Sequence, residues 1–274
     1  MCDISIIIVN YNSGNFLVQC VDSIYKYIDI DFEIIVWDND SKDDSVILLE
    51  QLHGEKSNLN IIKSTSNLGF AKANNKAYQY TKGHTLHFLN PDTLVNEQLN
   101  SHYKEIIINN EDLIYVTSLY EQQSLSVQTT YKIPTLSNYL YALFAKKKVT
   151  YWSIGASIIM KSSVFEKIGL WSDIYFMYAE DMDLFYTAHK LKIAVKYLDT
   201  QIIHVGKVSS GNTWSNFQRA LQIEKSLKKF YTSHKIIAQY YIIRPIQFVY
   251  MCFKNKKELR NAVKAYFYLF FRNY

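Results

Sequence analysis

Hydrophobic positions along this chain alternate between two patterns. Ile4 to Val9, "ISIIIV", is an unbroken apolar run, as expected of a strand covered on both faces in a parallel sheet. A polar turn follows from Asn10 to Gly14, and then Phe16, Leu17, Cys20, Val21, Ile24 and Tyr25 recur at helical spacing. The cycle repeats: "EIIVWD" predicts a strand ending in the turn "NDSKDD", and "SVILLEQL" predicts a helix. "LNIIKS" predicts a third strand, Gly69 to Lys82 a helix, and "TLHFLN" a fourth strand. Strands alternating with helices in this way predict right-handed βαβ units, and so an α/β fold with a doubly wound, mainly parallel sheet flanked by helices.

The middle of the chain changes rhythm. "LIYVTSL" and "SLSVQTTYKI" predict strands around a loop, and "LSNYLYALFAKKK" a helix with a basic end. "YWSIGASIIM" returns to an apolar strand, and "SSVFEKIGLW" predicts a short helix begun by a Ser cap. "YAEDMDLFYTAHKLKI" sets Leu184, Phe185, Ala188 and Leu191 at helical spacing behind an acidic start, where Glu180, Asp181 and Asp183 favour the helix dipole. "AVKYLDTQIIHVG" closes this part with strands and His204.

Composition sharpens the picture in two places. The chain has 274 residues, 49% hydrophobic and 20% charged, which is ordinary for a folded protein with a sizeable core. Its net charge of +5 conceals a division. Residues 219–274 carry 12 Lys and Arg against 2 Asp and Glu, together with 13 aromatic residues, whereas residues 1–218 carry 18 against 23. An acidic body with a basic, aromatic tail suggests an anionic partner, either nucleic acid or membrane. The tail stretch "IIAQYYIIRPIQFVYMCF" is interrupted by Gln239, Arg244, Pro245 and Gln247, too polar for a spanning helix. "NKKELRNAVKAYFYLFFRNY" has the composition of a helix lying in a membrane interface; a helical subdomain packed on the core is the other reading. No recognisable nucleic-acid motif accompanies the basic residues, so nucleic acid is not expected. The three cysteines, Cys2, Cys20 and Cys252, have no metal-type spacing and read as reduced thiols, and the N-terminus shows no secretion signal. A cytoplasmic protein, peripheral at the inner face of the cell membrane, is the expectation.

Candidate chemistry collects at the strand ends. In doubly wound sheets ligands bind at the carboxyl ends of the strands, and here those ends carry Tyr11 and Asn12, Asp38 and Asn39, Asn67, and Asp92. With 8 glycines and no G-x-G-x-x-G or phosphate loop, a dinucleotide dehydrogenase or P-loop NTPase is not expected. Singly, Asp38 and Asp92 fit turn-formers and His204 a satisfied core histidine. Together they place carboxylates, amides and an imidazole on one edge, more than turn chemistry needs.

The ordered segments "SIIIVNYNS", "VWDNDSKDDS", "NLGFAKANN", "FLNPDT", "WSIGASIIMKSSVFEKIGLW", "FMYAEDMDL" and "IIHVGKVSSG" resemble the inverting, nucleotide-sugar-dependent glycosyltransferase family 2 of GT-A fold, and its rhamnosyltransferase-like branch in particular. The resemblance runs from about Ser5 to Gly211. It implies a GT-A domain over 1–214, with a nucleotide-binding half at 1–95 and an acceptor and catalytic half at 96–214, followed by a helical extension at 215–274. It implies a metal-dependent inverting transfer of rhamnose or another hexose from a dTDP- or UDP-sugar to a growing bacterial surface polysaccharide, on an acceptor expected to be lipid-linked. In that family the fourth strand ends in a D-x-D-type motif; here Asn90-Pro91-Asp92 takes its place, with Asp92 holding Mg²⁺ or Mn²⁺ against the donor diphosphate. One carboxylate is enough, because Mg²⁺ takes its other ligands from phosphate and water. Asp38 then accepts the imide N–H of the base, Tyr11 flanks it, and Asn67, Gly69, Asn74, Asn75 and Asn90 complete the nucleotide-sugar site. Many relatives have Arg at the place of Asn74, so one cationic contact is missing unless Lys72 supplies it. Asp181 is the base by resemblance, beside Glu180; His204 joins the metal in some relatives; Trp152, Gly155 and Ala156 match a segment that shapes the acceptor side, although Trp152 alone also reads as core. A catalytically silent nucleotide-sugar-binding subunit is the competing reading.

Overall fold

A computed structural model describes residues 2–121, 126–128, 130–143, 149–205, 215–254 and 256–271. Its centre is a twisted sheet. Strand β1 (Ile4–Asn10) pairs in parallel with β2 (Phe32–Asp38) and β4 (Thr85–Leu89), and β2 pairs in parallel with β3 (Leu59–Lys63). Helices α1 (Asn15–Tyr27), α2 (Ser45–His53) and α3 (Phe70–Tyr78) make the crossovers. The resulting order β3-β2-β1-β4 reverses direction between β1 and β4, and that switch point opens a crevice at the carboxyl ends of these two strands.

Beyond β4 the sheet becomes mixed. Strand β10 (Ser157–Lys161) runs antiparallel to both β4 and β6 (Ile114–Glu121), and β6 pairs in parallel with β11 (Val195–His204). Short β5 (Thr93–Leu94) closes that edge against β11, and β7 (Ser126–Gln128) adds to β6. A separate two-stranded ribbon joins β8 (Tyr131–Lys132) to β9 (Tyr151–Trp152). Helices α4 (Glu97–Asn109), α5 (Leu136–Leu143), α6 (Ser162–Ile168) and α7 (Glu180–Lys190) fill the intervals.

Continuous apolar strands are explained by burial on both faces. In β1, Ile4, Ile6 and Ile8 point into one core with α1 and α4, while Ile7 points into the other with α3 and α7. The expected elements are present with three differences. "YWSIGASIIM" divides into β9 and β10, because residues 153–156 leave the strand path to reach α7. The Ser cap of α6 is absent: Lys161 occupies the N-cap with no side-chain hydrogen bond. The helix predicted over Gly69 to Lys82 ends at Tyr78. The basic end predicted for α5, at 146–148, lies outside the described residues, as does the "GKVSSG" segment.

The tail forms α8 (Asn216–Ser233), α9 (Ile237–Lys254) and α10 (Lys256–Phe271), and much of it is core. Phe230, Tyr231, Tyr240, Ile243 and Tyr266 bury themselves in the same cluster as the sheet's α3 face. Glu224 on α8 is fully buried and accepts hydrogen bonds from Arg244 (Nε to Oε2 3.1 Å, and Nη2 to Oε1) and from Tyr240 (3.0 Å) on α9. An ion pair so placed tolerates no unpaired partner, so it locks the register of the two helices. No described helix is long and apolar enough to cross a membrane.

One close approach joins the first half of the sheet to the segment before α7. Gly69 has φ +79°, and its neighbour Phe70 donates its N–H to the carbonyl of Phe176 at 3.0 Å. A Cβ at Gly69 would stand 2.1 Å from that carbonyl oxygen. Gly69→Ala therefore combines backbone strain of about 1–3 kcal/mol with overpacking of about 1–3 kcal/mol. A melting temperature several degrees below wild type is expected by circular dichroism; a variant melting with wild type would show that the contact does not form.

Candidate active site

The ends of β1 and β2 lie side by side, with Asn10 directly opposite Asp38. Asn10 Nδ2 donates to Asp38 Oδ1 at 2.9 Å and to the Ser41 and Ser45 hydroxyls at 3.0 and 2.9 Å. Ser41 N donates to Asp38 Oδ2 at 3.3 Å. The buried carboxylate is thus fixed in direction, while Tyr11 beside it stays half-buried. A second polar knot follows β3. Asn39 Nδ2 donates to Asn67 Oδ1 at 2.9 Å and its Oδ1 accepts from Leu68 N at 2.8 Å; Asn67 Oδ1 also accepts from Gly69 N at 2.9 Å. The knot shapes the loop that leads into α3.

Two asparagines of α3 look elsewhere. Asn74 is buried and bonds back to Phe70 O within its own helix at 3.0 Å. Asn75 spends both ends of its amide on the Trp171 backbone, donating to the carbonyl at 2.8 Å and accepting from the N–H at 3.1 Å. Its amide thus fastens α3 to the loop after α6. Asn74 and Asn75 are the residues that helical spacing could not assign, because face and partner depend on the packing of α6.

Asp92 and His204, remote in sequence, are neighbours. Thr93 pairs with His204 across β5 and β11, and Val205 N donates to Asp92 O at 2.9 Å. That register sets His204 Nε2 3.4 Å from Asp92 Oδ1, both side chains buried, and leaves His204 Nδ1 without a hydrogen-bond partner. A carboxylate oxygen and an imidazole nitrogen at one point, with an orphaned ring nitrogen, fit a divalent cation that draws its remaining ligands from a diphosphate and water. Among the described residues, no cluster of three His, Cys, Asp or Glu forms.

The acidic pair stands on a strained turn. Tyr178 and Ala179, neither of them glycine, have φ +68° and +72°, and α7 begins at the next residue. Such conformations persist only where the surroundings hold them, and they concentrate at functional sites. Asp181 Oδ1 accepts from Met182 N at 2.8 Å, and Oδ2 accepts from Gly155 N at 3.2 Å. Burial raises the Asp181 pKa above the carboxylate range, with those two N–H groups opposing it. Burial raises Glu180 further, reinforced by the Asp181 charge, and Glu180 Oε2 has no partner. A buried carboxylate with a raised pKa is suited to accept a proton near neutrality.

Gly155 connects the two groups of acids. Its neighbour Ala156 accepts from Asn90 N at 2.9 Å, and Asn90 leads through Pro91 to Asp92. Ribbon strand β9 packs on α7, and Trp152 there stacks on Tyr131 at 5.0 Å between ring centroids. Trp152 is half-buried beside the acid-bearing helix, so the aromatic face at this end of the crevice comprises both rings. Asn10 and the Tyr178–Ala179 turn were not among the expected site residues, and Asn39 was noted only as a strand-end residue. Polar residues at strand ends hinted at the two asparagines; nothing in the sequence signals a left-handed Tyr-Ala pair.

Known proteins similar to this chain bear on its fold and family. A computed match to the structure of S. aureus TarS 1-349 in complex with UDP-GlcNAc has a TM-score of 0.60 at 18% identity, covering 96% of this chain and 79% of that one. GalNAc-T7 with UDP, GalNAc and Mn²⁺ gives a TM-score of 0.61 at 15% identity, over 86% and 51% of the two chains. Both likenesses show the fold, a GT-A-like mixed α/β sheet. The low-salt glycan biosynthesis hexosyltransferase Agl10 of Haloferax volcanii is 25% identical over 252 residues, 86% of this chain and 77% of its own. The chondroitin synthase of Pasteurella multocida is 32% identical over 89 residues, 32% of this chain and 9% of its own length, so the chain spans a small part of that relative. The model for glycosyl transferase family 2 matches residues 5–169. With more than half its length covered by that model, and its strand-end acids gathered at the sheet's switch point, the chain belongs to glycosyl transferase family 2.

Proposed function

We propose that the protein transfers a hexose, with inversion, from a uridine or thymidine diphosphate sugar to a glycan acceptor. The observation that supports this reading is the chain of contacts from the Asp181 carboxylate through Gly155 N and Ala156 O to Asn90 N, two residues before Asp92, which ties the two acids to one edge of the sheet. Asp38 and Tyr11 receive the base, and the knot of Asn39 and Asn67 shapes the loop beneath the ribose and phosphates. Asp92 and His204 would hold a divalent cation, which would supply positive charge for the nucleoside diphosphate leaving group. The acceptor hydroxyl oxygen attacks the anomeric carbon as the bond to the diphosphate oxygen breaks, and its proton passes to Asp181. Trp152 and Tyr131 offer ring faces to the acceptor sugar. Agl10, named a hexosyltransferase, and the UDP-bound neighbours support a UDP-hexose, and the rhamnose expectation remains within this class.

The tail supports a peripheral membrane setting at the cytoplasmic face with a lipid-linked acceptor, as in assembly of a surface polysaccharide such as O-antigen or capsule. Tyr241, Ile242, Ile246 and Val249 of α9 and Phe267, Phe270 and Phe271 of α10 are exposed, and Tyr241 meets Phe270 at 6.2 Å. These apolar positions lie among the tail's excess of Lys and Arg, the pairing an anionic bilayer surface attracts.

The first test is a screen of UDP-, dTDP- and GDP-sugars with Mg²⁺ or Mn²⁺ and candidate acceptors, followed by two substitutions. Asp92→Asn should abolish transfer and the metal-dependent part of nucleotide binding while the circular dichroism spectrum is unchanged; near-normal turnover at saturating metal removes Asp92 from the site. Asp181→Asn should bind donor almost normally and lose transfer by about 10²–10⁴-fold. Retained turnover in that variant places the base elsewhere.

Burial also dictates a pH signature. The folded pKa of Glu180 lies above its unfolded value, so the native state holds the proton more tightly and ionisation opposes folding as pH rises. Relative to Glu180→Gln, wild type should therefore lose stability as pH climbs from about 4.3, the ordinary glutamate value, into the neutral range. Melting curves of the pair across that range check the sign; a wild type that gains stability relative to the variant as pH rises contradicts it.

For the tail, flotation with vesicles containing phosphatidylserine should capture the full chain at low salt and release it as salt is raised. Ile246→Ser with Phe267→Ser should weaken capture. Point changes replace truncation here, because Tyr231 is core and donates to Pro134 O, so a cut at that residue opens the fold. Failure of the full chain to bind anionic vesicles at low salt would count against the membrane reading.

A further inference from the structure

Helix α8 grips the segment around the acidic pair at three successive places. Lys229 Nζ donates to Ile174 O at 2.7 Å. Ser226 Oγ donates to Met177 O at 2.7 Å, and Gln222 Nε2 reaches the same carbonyl at 3.4 Å. His234, the C-cap of α8, donates from Nε2 to the buried Asp183 carboxylate on the first turn of α7, which also accepts from Tyr175 OH at 3.3 Å. The His234 ring then continues along α7. It lies edge-on to Tyr186 at 4.4 Å, and the Lys190 ammonium faces its Nδ1 at 3.3 Å.

Asp183, Tyr186 and Lys190 fall at i, i+3 and i+7, one face of α7. Between the Met177 and Asp183 attachments lie Tyr178 and Ala179, the two left-handed residues. Such conformations persist only if their flanks are held. The contacts of α8 sit on both flanks. With Lys190 donating to Nδ1 and Nε2–H donating to Asp183, both nitrogens of a neutral imidazole are satisfied, so the ring has one preferred orientation.

We propose that His234 is a positioning residue for sugar transfer: through Asp183 it fixes the first turn of α7 and thereby the direction of the Asp181 carboxylate, with Ser226 holding the other side of the strained turn. This rests on the reading of Asp181 as base. It assigns to the tail a part in chemistry separate from any membrane contact, and to Asp183 a role beyond favouring the helix dipole.

The test compares His234→Phe, His234→Gln, Ser226→Ala, Asp181→Asn and the double variant His234→Phe/Asp181→Asn in the full chain. Turnover is followed as release of the nucleoside diphosphate from the donor identified in the screen above, and UDP binding by calorimetry. His234→Phe keeps the edge packing on Tyr186 and Phe230 but removes the donor. It should lower kcat by about 10–100-fold, since misplacement of about 1 Å costs that order, with UDP affinity unchanged within twofold. His234→Gln, which restores an N–H donor, should recover most of that loss, a rescue that a merely space-filling role does not produce.

The double variant should be no slower than Asp181→Asn alone, because residues acting through one group are not additive. Wild-type kcat in His234→Phe, no rescue by Gln, or parallel loss of kcat and UDP affinity overturns the proposal while leaving the base in place. An active Asp181→Asn instead overturns the base reading and this inference with it. If His234→Phe does not fold, Ser226→Ala decides: a several-fold lower kcat at unchanged UDP affinity supports the brace, and wild-type kcat overturns it.

Discussion

The carbonyl of Phe176 meets the backbone at Gly69 so closely that no side chain fits between them. Everything that faces the crevice depends on this contact. On one side of it, the Asn39 and Asn67 knot fixes the loop leading into α3, and on the other begins the turn that lifts Glu180 and Asp181. The strand-end residues and the acidic pair come from distant parts of the chain, and the Phe70–Phe176 backbone hydrogen bond joins them. Glycine at 69 serves geometry first, whatever it also does for a phosphate.

Around that joint the sheet divides its work. Parallel strands β3-β2-β1-β4 provide the switch point and the Asn10–Asp38 end, where ligand binding needs only the strand termini. The antiparallel insertion of β10 and the β5–β11 closure then return the chain to the same edge. Asp92 and His204 meet because of that closure, and Asp181 meets Gly155 because β9 and β10 are separated by four residues that turn toward α7. Glu180 is buried and Asp181 half-buried beside it, and loss of solvent raises the proton affinity of both carboxylates.

The basic tail has two faces with different physics. Its inner face is core, locked by Glu224, Arg244 and Tyr240, and α8 clasps the strained segment before α7. Its outer face keeps apolar and aromatic residues in solvent among lysines and arginines. A single helical layer thereby connects the protein's outer surface to the segment that carries the proton acceptor.

The sequence by itself determined the alternating strands and helices, the strand-end placement of Asp38 and Asp92, and the acidic start of α7. Each is written in local periodicity, and local periodicity is set by the 2-residue and 3.6-residue repeats of strand and helix. The ordered motifs carried the family, and the family model agrees with them. Tertiary structure alone decided what each side chain touches. Asn75 stands on the expected helix yet fastens Trp171; Ser162 is the first residue of a helix that it does not cap; Tyr178 and Ala179 adopt conformations that neither residue favours. The tail's composition left open a membrane surface or packing on the core, and one face of it is interior, because apolar and aromatic residues do not specify in sequence which of two apolar neighbours they bury against. Pairings such as Asp92 with His204 and Asp183 with His234 are fixed by sheet register and helix docking, which no local pattern encodes.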